Sequence, residues 1–371
     1  MRILILGGYG LFGSRITRAL AGDAGVQLIV AGRDYAKAQA LVAAITAPTA
    51  RLEAAAIDVQ ADDFQQQLNH LNPELVIDTA GPFQQRDYRV AQAVLAAGAH
   101  CIDLADGCAY VAGITTLDAQ ARAAKRWVIS GASSVPGLHA AVIAAHLHRY
   151  SALESVETTI SPGNRTPRGW ATTASILGYV GRPFRMLRDG QWRNAYGWQS
   201  LRRLHVDGVG TRWAAHCEVP DLELLPARYP MLRTLEFRAG LELRRMHFGL
   251  WLASWAVRLR LLPSMVLFAK PLFALSQYWQ NSGTDIGVMR VSMRGTGNDG
   301  TPLRLDWTLQ ADAGDGPQIP ATAAVVLARK LARGELVGSG ARPCLDMFTL
   351  DELMAALHGY QVKATLQLMR S

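Results

Sequence analysis

The sequence is poor in cysteine, with only four in 371 residues: Cys101, Cys108, Cys217 and Cys344. None forms a Cys-x-x-Cys pair and no histidine follows at the spacing of a metal ligand, so we predict no metal site. Disulfide frameworks belong mainly to small secreted domains, which cannot otherwise build a sufficient core. A chain of this length can build one, so we expect reduced thiols and a cytoplasmic protein.

Long uninterrupted apolar runs are also missing. The run Ile3–Leu6 is too short for a signal peptide and leads directly into glycines. The most hydrophobic stretch, Leu250–Tyr278, falls short of a membrane span, which needs roughly 20 apolar residues with few charges. Charges and prolines interrupt it at Arg258, Arg260, Pro263, Lys270 and Pro271. It predicts two or three short helices that pack in the core, form a lid over the active site or dock on a membrane surface.

Charged residues make up only 18% of the chain, yet the net charge is +8. The excess lies in residues 137–318, which hold 21 basic and 14 acidic residues, and 20 of the 21 are arginine. Such a segment can meet acidic substrates, phosphates, nucleic acid or a membrane surface. No recognised nucleic-acid motif accompanies it, so we predict no nucleic-acid partner.

Residues 1–136 alternate short apolar runs with helical patterns. Strands are predicted at Arg2–Leu6, Val26–Ala31, Arg51–Ile57, Leu75–Thr79, His100–Leu104 and Trp127–Ser130. Helices are predicted between them at Leu11–Ala21, Tyr35–Ile45, Phe64–Leu71, Tyr88–Ala97 and Thr116–Ala124. The alternation predicts an α/β fold of the Rossmann type, with a doubly wound parallel sheet.

A glycine-rich loop joins the first strand to the first helix. Gly8-Tyr9-Gly10-Leu11-Phe12-Gly13 matches GxGxxG, and its place between a strand and a helix is the context that dinucleotide binding requires. The glycines allow a tight turn, a close approach of the pyrophosphate and close packing of helix on strand. Free N–H groups at the helix start would face the phosphates. We therefore predict cofactor contacts from Gly8, Gly10, Leu11, Phe12 and Gly13.

The end of the second strand selects between NAD and NADP. An NAD enzyme usually places an acidic residue there, about 20 positions past the glycines, to bind the ribose 2′-hydroxyl. Arg33 lies at this position, where a guanidinium can hold a 2′-phosphate. The neighbouring Asp34 can either serve the hydroxyl or cap the next helix. The pattern favours NADP over NAD.

Two further strand ends supply candidate cofactor residues. Asp58 follows the third strand, where it can approach the adenine or simply form a turn. Ala80, Gly81, Pro82 and Phe83 follow the fourth strand, near the point where strand order reverses and ligands bind in open sheets. Gly81-Pro82 is also compatible with an ordinary turn.

Three residues are candidates for proton transfer: Asp103, Ser133 and His139. The cofactor supplies the hydride chemistry, so the protein must orient it and supply or remove a proton. His139 opens a predicted helix, where the dipole favours the neutral imidazole that acid–base catalysis needs. The alternatives are a packed histidine at a domain junction and a structural carboxylate at a strand end.

The N-terminal segments resemble the saccharopine dehydrogenase-like oxidoreductase family. The likeness is carried by Gly7–Gly13, Val30–Arg33, Val76–Phe83, Ala91–Ala97, Gly98–Leu104 and Gly131–Gly137. Ile319–Arg333 and Gly340–Leu353 resemble its C-terminal helical segment. Ala105-Asp106-Gly107 replaces the characteristic Gly-Glu of the family, and Cys101 replaces an aromatic residue. The resemblance therefore does not fix the substrate.

The resemblance implies three parts. Residues 1–136 form the Rossmann dinucleotide-binding domain. Residues 137–318 form a mixed α+β domain for substrate binding and dimerisation, with a hydrophobic helical insert at 246–280. Residues 319–371 form a C-terminal helical segment that packs back on the first domain.

The middle segment predicts a mixed sheet with few helices. Strands are expected at Ser155–Ile160 and Val209–Val219, and a hairpin at Asp285–Gly295 and Leu303–Ala311 about Asn298-Asp299-Gly300. Helices are expected at Thr172–Val180 and Pro226–Ala239. Eight of the nine tryptophans lie in residues 170–307, where they either pack in the core or line an apolar pocket.

Taken together, the sequence predicts an NADP-dependent oxidoreductase that acts on a C=N, C=O or activated C=C bond of a small or partly apolar substrate. A homodimer is expected, because symmetric dimers are the commonest oligomers. Two other hypotheses stay open. One is a non-catalytic NAD(P)-binding redox sensor, and the other is a membrane-peripheral nucleotide-binding protein of lipid metabolism.

Overall fold

A computed structural model of the protein describes residues 1–84 and 86–370. The chain divides into two units. The first comprises Met1–Ala141 and Gln318–Leu357, and the second comprises Val142–Pro317 and His358–Ser371. The boundary near residue 141 falls within helix α7 (His139–Leu147).

The first unit is built on a seven-stranded parallel sheet. Its strands are β1 (Arg2–Leu6), β2 (Gln27–Gly32), β3 (Arg51–Ala56), β4 (Leu75–Asp78), β5 (His100–Asp103), β6 (Trp127–Ser130) and β15 (Gly340–Pro343). Their order is β15-β6-β5-β4-β1-β2-β3. β1 lies between β2 and β4, so strand order reverses beside β1 and the carboxyl ends of β1 and β4 meet at one edge. The predicted Rossmann-type sheet is confirmed.

Helices flank this sheet because each presents an apolar face to it. They are α1 (Gly13–Leu20), α2 (Tyr35–Ala43), α3 (Phe64–Leu71), α4 (Arg89–Ala96), α5 (Cys108–Gly113) and α6 (Asp118–Ala123), with a 3₁₀ turn at Ile114–Leu117. Leu4, Val76 and Val128 from the strands pack in one buried cluster with apolar residues of α3, α4, α6 and the 3₁₀ turn. Burying that surface stabilises the unit by roughly 25 cal/mol per Å² of apolar area.

The C-terminal segment contributes to both units. Helices α12 (Gln318–Ala332) and α13 (Leu350–Ala356) belong to the first unit, where α12 packs on α1 and Arg329 Nε lies 2.8 Å from Asp23 Oδ2. Two strands in this segment were not predicted. β15 extends the first sheet beside β6, and β16 (Val362–Arg370) pairs in the second unit.

The second unit contains a seven-stranded mixed sheet in the order β10-β11-β12-β7-β13-β14-β16. The strands named here are β7 (Tyr150–Ser161), β10 (Arg202–Val206), β11 (Gly210–His216), β12 (Thr234–Ala239), β13 (Gly287–Gly297) and β14 (Pro302–Ala311). A two-stranded ribbon, β8 (Pro183–Arg188) and β9 (Gln191–Tyr196), pairs separately. The predicted hairpin is present as β13–β14, and Gly300 in its turn has a φ of +78°.

One helix prediction for this unit is wrong. Residues 226–239 were expected to be helical, but helix α9 (Asp221–Arg228) ends early and Thr234–Ala239 forms β12. In β12, Leu235 and Phe237 are buried on one face and Glu236 and Arg238 on the other. Parallel pairing with β7 outweighs the local helical spacing.

The hydrophobic insert folds into short helices, as predicted. They are α10 (Arg244–Arg258), a 3₁₀ turn at Met265–Phe268 and α11 (Ala269–Tyr278). α8 (Trp170–Tyr179) packs beside the last two. Over residues 1–84 and 86–370, no helix is both long and apolar enough to cross a membrane. The tryptophans divide between core and surface: Trp198 is 1% exposed, whereas Trp170, Trp192 and Trp255 are exposed.

Candidate active site

The glycine loop turns the chain from β1 into α1. Gly7 has a φ of +71°, which glycine adopts without steric cost. A Cβ on Gly13 would lie 2.2 Å from the Gly7 carbonyl oxygen, so the first turn of α1 rests on the loop. The buried Thr17 hydroxyl of α1 also lies 3.3 Å from the Gly8 carbonyl oxygen of the loop, within hydrogen-bond distance. The sequence pattern therefore folds as its spacing predicts.

The outer side of the loop is open and rich in donors. A Cβ on Gly10 would meet only the Gly7 carbonyl oxygen, at 3.0 Å, among the residues that the structure describes. The backbone N–H groups of Leu11, Phe12 and Gly13 have no acceptor within that same part of the chain. Unsatisfied N–H groups at a helix N-terminus, aligned with the helix dipole, form an anion site.

Arg33 and Asp34 at the end of β2 take different roles. The Asp34 carboxylate caps α2 by accepting from the Lys37 backbone N–H at 3.2 Å, and its other oxygen lies 3.2 Å from Lys37 Nζ. The hydrogen bond from Lys37 lowers the pKa of Asp34. Arg33 is exposed, and the described residues place no carboxylate within ion-pair distance of it. Of the two roles predicted for Asp34, the structure shows the cap of helix α2.

Tyr9 links these two parts of the site, which the sequence pattern did not indicate. Its hydroxyl accepts a hydrogen bond from the Asp34 N–H at 3.0 Å. A Cβ on Gly32 would lie only 2.6 Å from the Tyr9 ring. Tyr9 thereby holds the glycine loop beside the end of β2. In the sequence, the only signal for this role is the position of Tyr9 as the first variable residue of GxGxxG.

The end of β4 lies against the glycine loop. Thr79 Oγ1 donates to the Leu6 carbonyl at 2.7 Å, and a Cβ on Gly7 would approach the Ala80 nitrogen to 3.3 Å. Ala80 is thus brought beside the loop, followed by Gly81 and the exposed Pro82.

Two other candidate cofactor residues have structural partners. Phe83 is buried, and its ring packs 5.6 Å from that of Tyr110. Asp58, at the turn after β3, accepts from the Gln60 N–H at 3.0 Å. Contacts of either residue with a cofactor stay a prediction.

A buried ion pair at the β4 end was missed by the sequence reasoning. Asp78 is 1% exposed, and its Oδ2 lies 3.0 Å from Arg86 Nη1. The same nitrogen donates to the Ala80 carbonyl at 3.1 Å, and the Arg86 guanidinium lies 5.2 Å from the centre of the Phe83 ring. Arg86 therefore fixes the segment that follows β4. No local spacing marks such a pair, because the turn between the two residues decides it.

Asp103, at the end of β5, is a buried carboxylate in which one of the two oxygens accepts all the hydrogen bonds that the described residues make to it. Its Oδ1 accepts from Ser130 Oγ at 2.8 Å, Gly131 N–H at 3.0 Å and Ala105 N–H at 2.9 Å. Its Oδ2 is buried without a hydrogen-bond partner among the described residues. Burial raises the pKa of Asp103 to about 6, although the three hydrogen bonds oppose the shift. The geometry fits a carboxyl that holds the strand ends together.

The other two proton-transfer candidates follow β6. Ser133 is half-buried in the turn after this strand, and its backbone carbonyl accepts from the Leu138 N–H at 3.1 Å. His139 is fully buried at the first residue of α7. Within residues 1–84 and 86–370 no group of three or more His, Cys, Asp or Glu side chains could hold a metal ion.

Residues 3–129 match the protein family described as the saccharopine dehydrogenase NADP binding domain. The match covers 127 of the 371 residues, so it identifies an NADP-binding domain of this family in the N-terminal third of the chain. No curated protein matches the sequence.

A solved structure shares the fold of this chain over nearly its whole length. The saccharopine dehydrogenase (L-Glu forming) of Saccharomyces cerevisiae matches with 13% identity over 99% of both chains and a TM-score of 0.69. An amine dehydrogenase from Mycobacterium smegmatis matches with 11% identity over 95% of both chains and a TM-score of 0.48. At such low identity, the first match shows a common fold.

The residues of the glycine loop and of the β2 end fit NADP. The unsatisfied N–H groups of Leu11, Phe12 and Gly13 suit the pyrophosphate, and the unpaired Arg33 suits a 2′-phosphate. When bound, NADP supplies the hydride chemistry of an oxidoreductase. The chain's own residues would bind and orient it: the loop would hold the phosphates, and Thr79 and Ala80 keep the β4 end beside the loop.

Proposed function

We propose that this oxidoreductase transfers a hydride between NADP and a C=N, C=O or activated C=C bond of a small or partly apolar substrate. The observation that carries the proposal is the anion site at the start of α1, together with the unpaired Arg33 at the end of β2. Hydride transfer also needs a proton donor or acceptor, and Ser133 and His139 remain our candidates. We assign Asp103 a positioning role, because its bonded oxygen already holds the Ser130–Gly131 turn.

Turnover is the direct test of this proposal. NADPH oxidation, followed by its absorbance with panels of imines, aldehydes or ketones, and enoyl compounds, should show activity with one bond class. Tight NADPH binding without turnover of any class would instead support the redox-sensor hypothesis. A cytoplasmic homodimer also stays part of the proposal, and sedimentation of the purified protein tests the dimer.

Arg33→Ala should weaken NADPH binding much more than NADH binding. The guanidinium is expected to make charge-assisted bonds to the 2′-phosphate, which NADH lacks, and such bonds contribute roughly 1.5–3 kcal/mol. The expected loss is therefore about 10- to 100-fold for NADPH, and less than about 3-fold for NADH. Fluorescence titration of the purified variant with each cofactor measures both.

Lys37→Ala is the matched control for Arg33→Ala. Lys37 is an exposed cation near the same strand end, but its Nζ is already paired with Asp34. We expect it to change NADPH affinity by less than about 3-fold, since exposed pairs contribute little. Equal weakening of both cofactors by Arg33→Ala would remove Arg33 from the 2′-phosphate site.

Asp103→Asn tests the positioning role. A folded-state pKa of about 6, above the ordinary 3.8, means that the wild-type protein loses stability as pH rises from about 4 through 6. Asparagine does not titrate and keeps an oxygen for the three donors, so thermal unfolding of the variant should lack this loss. Relative to the wild type, the variant should therefore gain roughly 2 kcal/mol of stability between pH 4.5 and pH 7.5.

The turnover of Asp103→Asn separates positioning from proton transfer. A positioning residue replaced by its isostere should leave at least about a third of kcat, whereas loss of a general acid costs typically 100-fold or more. A loss of that size, with unchanged NADPH affinity, would make Asp103 the proton donor and contradict our assignment.

A further inference from the structure

The hydrophobic insert of the second unit has one face that the chain leaves uncovered. On α10 the buried side chains His247, Ser254 and Val257 lie on one face, and Leu250 and Ala253 pack against the adjacent core cluster. Leu252, Trp255 and Leu259, spaced three and four residues apart, are exposed on the opposite face. The burial pattern therefore fixes which face of the helix is anchored and which is free.

The exposed apolar surface continues beyond α10. Leu261, Val266, Leu267, Phe268, Leu275 and Tyr278 are also exposed. Leu259, Leu261 and Leu267 are between 62% and 73% exposed, and Tyr278 is 83% exposed. We call this set, from Leu252 to Tyr278, the insert surface. Soluble monomers rarely leave so many large apolar side chains free in one short segment, and such surfaces mark interaction sites.

The charges around the insert surface have a single sign. Residues 243–284 contain no aspartate or glutamate and five basic residues: Arg244, Arg245, Arg258, Arg260 and Lys270. The described residues place no carboxylate within ion-pair distance of any of these five. Arg245 instead lies 4.5 Å from the centre of the Trp279 ring, and Arg258 lies 4.9 Å from that of Trp255. The segment thus combines free apolar side chains with unpaired positive charge.

We propose that the insert surface docks the protein on an anionic lipid bilayer, with α10 and α11 lying in the interface. Leu, Phe and Trp on one face with Lys and Arg beside them is the composition of interfacial helices. α10 has 15 residues and is therefore only ~22 Å long, too short to span a hydrocarbon core of about 30 Å. The helices lie on the membrane rather than cross it.

Charge complementarity favours lipid over a second copy of this chain. In a two-fold symmetric contact the same patch meets itself, so cations close to the symmetry axis would face their own copies. Anionic headgroups neutralise them instead, and each basic residue near such a surface strengthens binding about fivefold. The proposal does not depend on hydride transfer, because vesicle binding is measured without cofactor.

Flotation with lipid vesicles tests the proposal. The full chain should float with vesicles of phosphatidylcholine containing about 30% phosphatidylglycerol, and should float at least about tenfold less with pure phosphatidylcholine. High salt should release it, because screening weakens attraction between exposed charges. Absence of flotation of the intact protein with the anionic vesicles would overturn the proposal.

Two variants locate the contact. The triple variant Leu252→Ser, Leu259→Ser, Leu267→Ser should lose at least about tenfold of its vesicle affinity, because each exposed leucine inserts apolar area. Arg260→Gln with Lys270→Gln should abolish most of the preference for anionic lipid. All five positions are exposed, so the fold should be kept, and an unchanged melting temperature checks this.

The matched control removes exposed apolar residues elsewhere. Met231→Ser, Val337→Ser and Leu368→Ser change side chains that are 64%, 88% and 49% exposed, and should float like the parent protein. Equal loss in both triple variants would mean nonspecific hydrophobic binding and would contradict the proposal. The proposal would also be contradicted if the parent protein is a dimer that does not float and the insert triple variant alone is a monomer. A second copy of the chain would then cover the insert surface.

Discussion

Gly10→Val is expected to abolish binding of NADPH and NADH alike, with a loss of at least about 100-fold for each. A Cβ at position 10 meets only the Gly7 carbonyl oxygen, at 3.0 Å, within the described chain, so the branched side chain extends into the open space outside the loop. That is where the backbone must approach the pyrophosphate. Both cofactors share this group, so both should be lost, and fluorescence titration measures each.

Substitutions of two other glycines serve as controls for Gly10→Val. Gly13→Ala would place a Cβ 2.2 Å from the Gly7 carbonyl oxygen, so it should lower the melting temperature and distort the loop. Gly10→Val meets the same oxygen at 3.0 Å, so it should lower the melting temperature less than Gly13→Ala does, while losing cofactor. Gly22→Ala, where a Cβ meets nothing within 4 Å, is the control that should change neither. Retained cofactor binding by a folded Gly10→Val protein would contradict the assignment of the loop.

The parts of the site that were predictable are those with short-range causes. The strand Arg2–Leu6 was predicted at its observed bounds, and the loop after it follows from glycine chemistry alone. The 20-residue distance from Gly13 to Arg33 also depended only on the length of one βα unit. The cap that Asp34 forms on α2 likewise depends on a hydrogen bond from Lys37, only three residues away.

The parts that escaped prediction depend on distant segments. Thr234–Ala239 becomes a strand because β7, about 80 residues earlier, pairs with it, and β15 joins a sheet more than 200 residues upstream. The buried pair Asp78–Arg86 depends on a turn whose path no propensity specifies. Exposure of the insert is likewise a tertiary property, since the sequence of 250–278 is compatible with core, lid and membrane surface.

Glu236→Gln is expected to destabilise the second unit by roughly 3 kcal/mol at pH 7. Glu236 and Arg238 are both nearly fully buried, and Arg238 Nη2 lies 2.6 Å from Glu236 Oε2. Removing the carboxylate charge leaves the guanidinium buried without its counter-ion, and breaking a buried pair costs about 3–5 kcal/mol. Glutamine keeps one acceptor, so the lower end of that range applies.

The tryptophans make this loss measurable in the second unit itself. Eight of the nine lie in residues 170–307, so their fluorescence during urea unfolding reports this unit. Glu157→Gln is the control: Glu157 lies 2.5 Å from Arg202 but is about a quarter exposed, so the expected loss is below about 1 kcal/mol. Equal losses in the two variants would mean that the buried pair contributes no more than a surface pair.

The pH dependence of the Glu236→Gln effect follows from the same contacts. Burial opposes the charge on Glu236, but His216 at 3.8 Å, the paired Arg238 guanidinium and the nearby Arg202 outweigh it and lower the pKa to about 2. A depressed pKa contributes stability that is present above the ordinary value of 4.5 and is lost as pH falls towards 2. The stability difference between parent and variant should therefore be constant from pH 5 to 7 and shrink at pH 3.5. A difference that stays the same at pH 3.5 would show that the carboxylate charge is not what stabilises β12.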